Sequence, residues 1–289
     1  MSWVLVAIIL FISSVILYLS IRWAQLLGVP NQIQNLAMFA VPSSIFFVLT
    51  VSIKQSLSIS FADLLLTVFA AIFLSYLGSI FSLKSLRLAP NPGYSLMISK
   101  SYVIFTAVVA VLLFRAELTF KSAFAIFLIV FGSALISLPK VGNLNGTSKR
   151  GVTWFLYALG AFFCWGVLAL LSKYILSNGL NVFVYLFYLT LLVTVLISLE
   201  MYVQRVSLRN PGTASVLALV LISVFSTIFN LSMQYGYIVS PNIGYINAAN
   251  ASSISVVALF SVILFNDEFS FRKFVGIIGS TLGLLLLFI

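Results

Sequence analysis

One lysine and a small set of amides, hydroxyls and aromatic rings are the residues of this chain whose types and spacing suit chemistry on a small molecule. Lys100 stands inside an apolar stretch, on the order of 10 Å from its end at 1.5 Å of helical rise per residue. An ammonium at such a depth costs at least about 2.5 kcal/mol and marks a pathway or a site. Its natural counter-ion is a carboxylate or phosphate on a substrate. The alternative is a side chain that snorkels, or donates to carbonyls at a helix end. Asn247 and Asn250 are three residues apart and so share one face of a helix, while Asn242 and Tyr245 lie nearer its start. Ser226, Asn230 and Gln234 recur at every fourth residue, and Ser75 with Ser79 repeats that spacing in the first half. These groups can line a cavity, or hydrogen-bond helix to helix with no substrate at all. Trp165, Tyr94, Tyr102 and Tyr245 can stack on a ring or a sugar, and serve equally as packing or interface anchors.

The chain contains no histidine and a single cysteine, Cys164. That removes the usual proton shuttle and metal ligand, any thiolate cluster and any internal disulfide. Asp63, Glu117, Glu200, Asp267 and Glu268 all fall near the ends of apolar stretches. No acid, base or metal set lies mid-span, so an enzyme is excluded, and no cofactor is expected.

The elements that must position these groups follow from composition. The chain is 62% hydrophobic and 7% charged, whereas soluble domains are about 25% charged. Its apolar surface exceeds what a core of 289 residues can hide, so the excess faces lipid. Stretches of about 20 apolar residues are long enough to span a bilayer. Ten are expected, over 2–21, 33–53, 63–84, 93–114, 119–138, 151–175, 181–203, 213–237, 242–265 and 270–288. Turn chemistry separates them at Gly28–Asn31, Asn178–Gly179 and Asn210–Gly212. The first stretch lacks a basic leader and is expected to remain as a span rather than be cleaved.

The chain also repeats itself. At an offset of 151 residues, Pro90-Asn91-Pro92-Gly93-Tyr94 becomes Pro241-Asn242-Ile243-Gly244-Tyr245. Phe114-Arg115-Ala116-Glu117 likewise becomes Phe265-Asn266-Asp267-Glu268, and Gly28, Phe120 and Gly132 find Gly179, Phe271 and Gly283. Residues 1–139 and 151–289 therefore read as two five-helix repeats joined by a polar linker, 140–150. Five is odd, so like-folded halves enter the membrane in opposite senses, the inverted arrangement of many secondary transporters. Pro90 with Gly93 and Pro241 with Gly244 open the fourth and ninth stretches, as ordinary loop-to-helix chemistry or as hinges. Glu117 and Glu268 read as carboxylates set near helix starts, facing unsatisfied N–H groups. Gly132 and Gly283 read as sites of close helix packing.

The Phe-x-x-Glu-x-x-Phe pattern (Phe114, Glu117, Phe120; Phe265, Glu268, Phe271), each followed by a glycine in the next helix, resembles the drug/metabolite transporter superfamily, and within it the EamA-like members. The likeness covers nearly the whole chain. It implies a basket of helices around a central cavity, lined mainly by the first, third, fourth, sixth, eighth and ninth helices, with cytoplasmic termini. A lysine on the fourth helix also serves certain nucleotide-sugar and sugar-phosphate carriers of that superfamily. Charge points the other way on orientation. Arg22, Lys84, Arg87, Lys140, Lys149, Arg150, Arg205, Arg209, Arg272 and Lys273 all follow odd-numbered stretches, which places those loops in the cytoplasm and both termini outside.

The expected protein is an all-α integral membrane protein, a multi-pass permease or exporter of the cell (cytoplasmic or inner) membrane. Its cargo is a small anionic or zwitterionic metabolite such as an amino acid or organic acid; the alternative is a carrier of nucleotide-activated, phosphorylated or lipid-linked sugars. Its partners are that small molecule and the lipid bilayer. The net charge of +10 sits in short loops and speaks to membrane orientation, not to nucleic acid. The sequence sets no oligomeric state and is compatible with a monomer. A buried cation without a buried anion repels cationic cargo. An imposed pH gradient is therefore expected not to drive uptake of a lipophilic organic cation into proteoliposomes, and accumulation of such a cation would contradict the charge argument.

Overall fold

The computed structural model describes residues 2–88, 95, 98–137, 151–207, 212–265 and 270–289. Tyr94, Glu268, the openings at Pro90 and Gly93, and the linker 140–150 lie outside the described residues. Those described form helices and turns throughout. Helix α1 is Trp3–Leu26, α2 Asn31–Ser52 and α3 Phe61–Phe69, which continues through a π-helical segment, Ala70–Tyr76, into α4, Leu77–Leu88. Then come α5 (Tyr102–Phe114), α6 (Phe120–Ser137), α7 (Gly151–Ser177), α8 (Val182–Gln204), α9 (Thr213–Val239), α10 (Ile243–Phe265) and α11 (Phe271–Phe288). Among the described residues nine rods are long and apolar enough to cross a membrane, and Ile98–Phe114 is a shorter apolar helix.

Local chemistry explains the boundaries. Ser2 Oγ accepts from Leu5 N at 3.3 Å, Ser60 Oγ from Asp63 N at 3.1 Å and Asn181 Oδ1 from Phe183 N at 2.8 Å, each satisfying an orphan donor of a first turn. Gly28 (φ +74°) and Gly179 (φ +97°) follow α1 and α7 in the left-handed region that glycine enters at no steric cost. They are the same position in the two sequence copies. The expected role of the glutamate in the α5–α6 turn is corrected: Thr119, not Glu117, caps α6, with its Oγ1 accepting from Ser122 N at 3.2 Å. A hydroxyl one residue before the helix reaches those N–H groups, whereas Glu117, two residues further back, is exposed in the turn.

Nine of the ten expected spans agree to within about five residues, and of the fourth, expected over 93–114, the described part is the shorter helix Ile98–Phe114; two interruptions were not expected. The third is interrupted by the π-helical segment Ala70–Tyr76, a feature with no period in the sequence to announce it. The fourth breaks at Ser101, where Ser101 N bonds Ile98 O at 3.2 Å and Ile104 N bonds Ser101 O at 3.0 Å, both one residue tighter than an α-turn. Lys100 stands at that break.

Packing runs between the two sequence halves more than within them. α1 lies on α9 and α10, α2 on α8, α4 on α7, α5 on α7 and α10, and α6 on α11. The α6–α11 seam is the tightest. A Cβ on Gly132 would come 2.5 Å from Gly276 O, and one on Gly283 would come 2.7 Å from Ala125 O, so only glycine lets the backbones approach this closely. Both glycines singled out by the repeat are therefore used in packing. Large side chains such as Leu112, Phe120, Phe127 and Phe131 project outward, as lipid-facing surfaces require. One end of the bundle gathers Trp3, Tyr245 and Phe288, with the Trp3 ring 5.6 Å from Tyr245 and 5.8 Å from Phe288.

The seam yields a contrast. Gly132→Ala is expected to destabilise by about 1–3 kcal/mol, the range for overpacking. Gly279→Ala, whose Cβ would meet nothing nearer than 3.9 Å, is expected to be neutral or to stabilise slightly by helix propensity. Thermal unfolding of the two variants in detergent measures the difference.

Candidate functional site

The site is assembled on α10. From Ile243 to Ser253 this helix is buried at every position, because it is packed by α1, α5, α6 and α9 rather than lipid. An amide within it must be satisfied by neighbouring helices. Asn250 Oδ1 accepts from Ser14 Oγ at 3.2 Å and from the Tyr18 hydroxyl at 3.4 Å. Ser14 and Tyr18 are one turn apart on α1 and so face the same oxygen; the single Ser14 hydrogen is shared with Leu10 O, 2.7 Å away in its own helix. The Lys100 ammonium lies over the Tyr18 ring, 5.6 Å from its centroid, within cation–π reach. The Tyr102 hydroxyl interacts with both Lys100 and Asn250. Lys100 also lines a small cavity with Ser133, Ser137 and Ala251, large enough for about one water molecule. The lysine therefore turns into the bundle, not toward the membrane surface.

The described carboxylates are engaged elsewhere. Asp63 Oδ2 accepts from Ser60 Oγ at 2.7 Å, Glu200 accepts from the Tyr76 hydroxyl at 3.0 Å and from Gln204 Nε2 at 3.1 Å, and Glu117 lies in the exposed α5–α6 turn. With Asn250 Oδ1 turned to the Ser14 and Tyr18 hydroxyls, its Nδ2 lies on the opposite side of the amide, toward the Tyr102 hydroxyl. The cluster thus offers an ammonium, an amide N–H₂ and phenol groups, a set weighted toward donors.

The other expected site residues divide. Asn247 is fully buried and spoken for at both ends: its Oδ1 accepts from the Tyr237 hydroxyl at 2.8 Å and its Nδ2 donates to Thr106 Oγ1 at 2.9 Å. It ties α5, α9 and α10 together. The Tyr245 hydroxyl donates to Glu117 O at 2.9 Å, and Asn242 Nδ2 donates to Ala107 O at 3.1 Å and to Glu117 O at 3.2 Å. Both pin the α5–α6 turn at the end of the bundle that holds the termini. Trp165 packs beside Gly78 and against the cluster containing Tyr102 and Ala251. Ser75 is buried in the π-helical segment, and Ser79 Oγ donates to its carbonyl at 3.0 Å. Asn230 Nδ2 donates to Ser226 O at 2.8 Å within its own helix. Gln234 is 6% exposed, and its Oε1 has no partner among the described residues. Ser14 and Tyr18 were not anticipated. Their signal is a polar pair at helical spacing in the first span.

Known proteins resolve what kind of machine holds this cluster. Residues 152–289 match the EamA-like transporter family. The second half of the chain is similar to an EamA-like transporter domain. A protein described as an uncharacterized transporter of Archaeoglobus fulgidus is 27% identical over 230 residues, covering 77% of this chain and 75% of that protein. A crystal structure superposes with a TM-score of 0.81 over 99% of this chain and 96% of its own, at 13% identity, a likeness of fold. The chain thus has the spans of a multi-pass membrane protein, and what its second half resembles is a family of transporters rather than of enzymes; the polar cluster lies on that half and on the helices packed against it.

Asn247→Ala strands the Tyr237 hydroxyl and Thr106 in the interior. It is expected to lower stability by about 1–3 kcal/mol, the cost of buried groups left unmade. Asn230→Ala, which loses a bond within one helix, is expected to cost less. Paired melting curves in detergent test the order.

Proposed function

We propose that this EamA-like protein is a secondary transporter of a small anionic or zwitterionic metabolite, such as an amino acid or organic acid. It works by alternating access in the cell membrane. Ten spans form two inverted five-helix halves, 1–139 and 151–289, and the substrate binds where they meet. Support for the inverted halves comes from the offset of 151 residues and from packing that comes in matched pairs. α1 rests on α9 as α7 rests on α4, and α1 meets α10 as α7 meets α5.

The observation that carries the cargo class is the Lys100 ammonium, turned inward over Tyr18 beside Asn250 while the described carboxylates lie elsewhere. A cation in this setting is under-compensated, and an anionic group on the substrate repays its desolvation. In this reading the substrate carboxylate meets Lys100 and the Asn250 amide, Tyr18 and Trp165 provide aromatic walls, and Gln234 supplies an acceptor for an amino group. Ser75, Ser79 and Asn230 complete the polar lining. Asn247 and Tyr245 hold the helices that carry it.

A ligand-dependent thermal shift in detergent tests this on wild type and Lys100→Gln in parallel. The panel is amino acids, organic acids, sugar phosphates, nucleotide sugars and lipophilic cations. At 100 times its dissociation constant a true substrate stabilises by about 2.7 kcal/mol. The expected result is stabilisation by carboxylates or amino acids that Lys100→Gln loses. Stabilisation by cations, or identical responses of the two proteins, overturns the reading, and a response confined to nucleotide sugars replaces its cargo class.

A further inference from the structure

A second, larger cavity lies at the end of the bundle that carries the termini. It has a volume of about 210 Å³ and is lined by Arg115, Glu117, Lys173, Ser240 and Asn242. Its charged groups come from the α5–α6 turn of the first half and the end of α7 in the second, so neither half forms it alone. Its walls are fixed. Arg115 caps α5 in the left-handed conformation (φ +52°), and the Glu117 carbonyl is held by Asn242 Nδ2 and the Tyr245 hydroxyl. Lys173 Nζ donates to the Tyr237 and Ile238 carbonyls at the C-terminus of α9, where the helix dipole also favours a cation. An ammonium has three donors, so one remains for the cavity that Lys173 lines.

Arg115 and Lys100 are separated by fifteen residues along nearly continuous helix, about 22 Å at 1.5 Å per residue. A small molecule cannot touch both. The cavity is therefore a separate station from the Lys100 cluster. Two cations and one carboxylate around a space of this size complement a carboxylate and an ammonium on one ligand. We infer that this cavity is a docking site for small α-amino-acid zwitterions on the terminus-bearing face of the protein. Arg115 and Lys173 receive the carboxylate, and Glu117 receives the amino group. The inference rests on the transport reading above and narrows its cargo to zwitterions.

The test is equilibrium binding of radiolabelled glycine, alanine, serine and leucine to the full chain in detergent, with N-acetylalanine as the probe that keeps the carboxylate and lacks the ammonium. Lys100→Gln removes the central counter-ion and isolates the second site. Arg115→Asn suits the left-handed backbone, which asparagine tolerates, and Arg115→Lys restores the charge. The expected result is that Lys100→Gln still binds at least one of the amino acids. Adding Arg115→Asn is expected to weaken that binding at least tenfold, and Arg115→Lys to recover most of it. Glu117→Gln should abolish the preference for alanine over N-acetylalanine. Loss of all amino-acid binding in Lys100→Gln overturns the second site and leaves the Lys100 reading intact. Binding that Arg115→Asn does not change, or an equal taste for N-acetylalanine in the unaltered protein, also overturns it. Equal binding by wild type and Lys100→Gln, with the Arg115 dependence retained, upholds the cavity and counts against Lys100 instead.

Discussion

In a bilayer there is no water to satisfy a polar group, so each one carried into the span must find its partner on another helix or its own. The architecture of this protein follows from how that requirement is met. Serines and threonines return their hydroxyl hydrogens to carbonyls three or four residues back, as Thr50, Thr190 and Thr227 do. Amides cannot satisfy both their donor and acceptor ends this way. Asn247 therefore bridges α5 and α9 from α10, and Asn250 reaches α1. α10 is the element on which the polar contacts of the two halves converge, and it is the most enclosed helix of the bundle.

The same solvent removes the hydrophobic drive between helices, so they associate through close approach and hydrogen bonds. Glycines on α6 and α11 permit the backbones to meet, and Gly244 does the same for α10 against Ala107 of α5. These contacts leave α6 and α11 together at one side. The polar residues then fall to α1, α5, α9 and α10 on the interior. A transporter needs such a division between a rigid, lipid-facing frame and a polar interior whose partners can be exchanged.

Charge supplies the remaining logic. Cations reach into the bundle at two depths, at Lys100 beside Tyr18 and at Lys173 on the last carbonyls of α9, and the second is joined by Arg115 and Glu117 at the rim. The first sits at a tightened helical turn, the kind of interruption that frees backbone groups near transporter sites. In the transport reading proposed above, cations at both rim and interior would suit anionic or zwitterionic solutes, each positive partner succeeding another.

The sequence by itself determined the class and the elements. Composition forced the chain into lipid, apolar length located the spans, and turn residues such as Gly28 and Gly179 marked their ends, because these are local properties of a chain in a known solvent. It also named Lys100 and Asn250, since a charge or an amide inside a span is conspicuous wherever it points. Tertiary structure decided what each polar group does. Asn247 and Asn250 lie on one face and look alike in sequence, yet one is locked between Tyr237 and Thr106 while the other stands beside Lys100. Tyr245 matched the pattern of a stacking residue and became a strut for the α5–α6 turn. Glu117 gave up the capping role to Thr119 and faced a cavity built with Lys173, 56 residues further along the chain. Hydrogen bonds and cavities depend on which helices become neighbours, and in this fold the decisive neighbours come from opposite halves of the chain, beyond the reach of any local pattern.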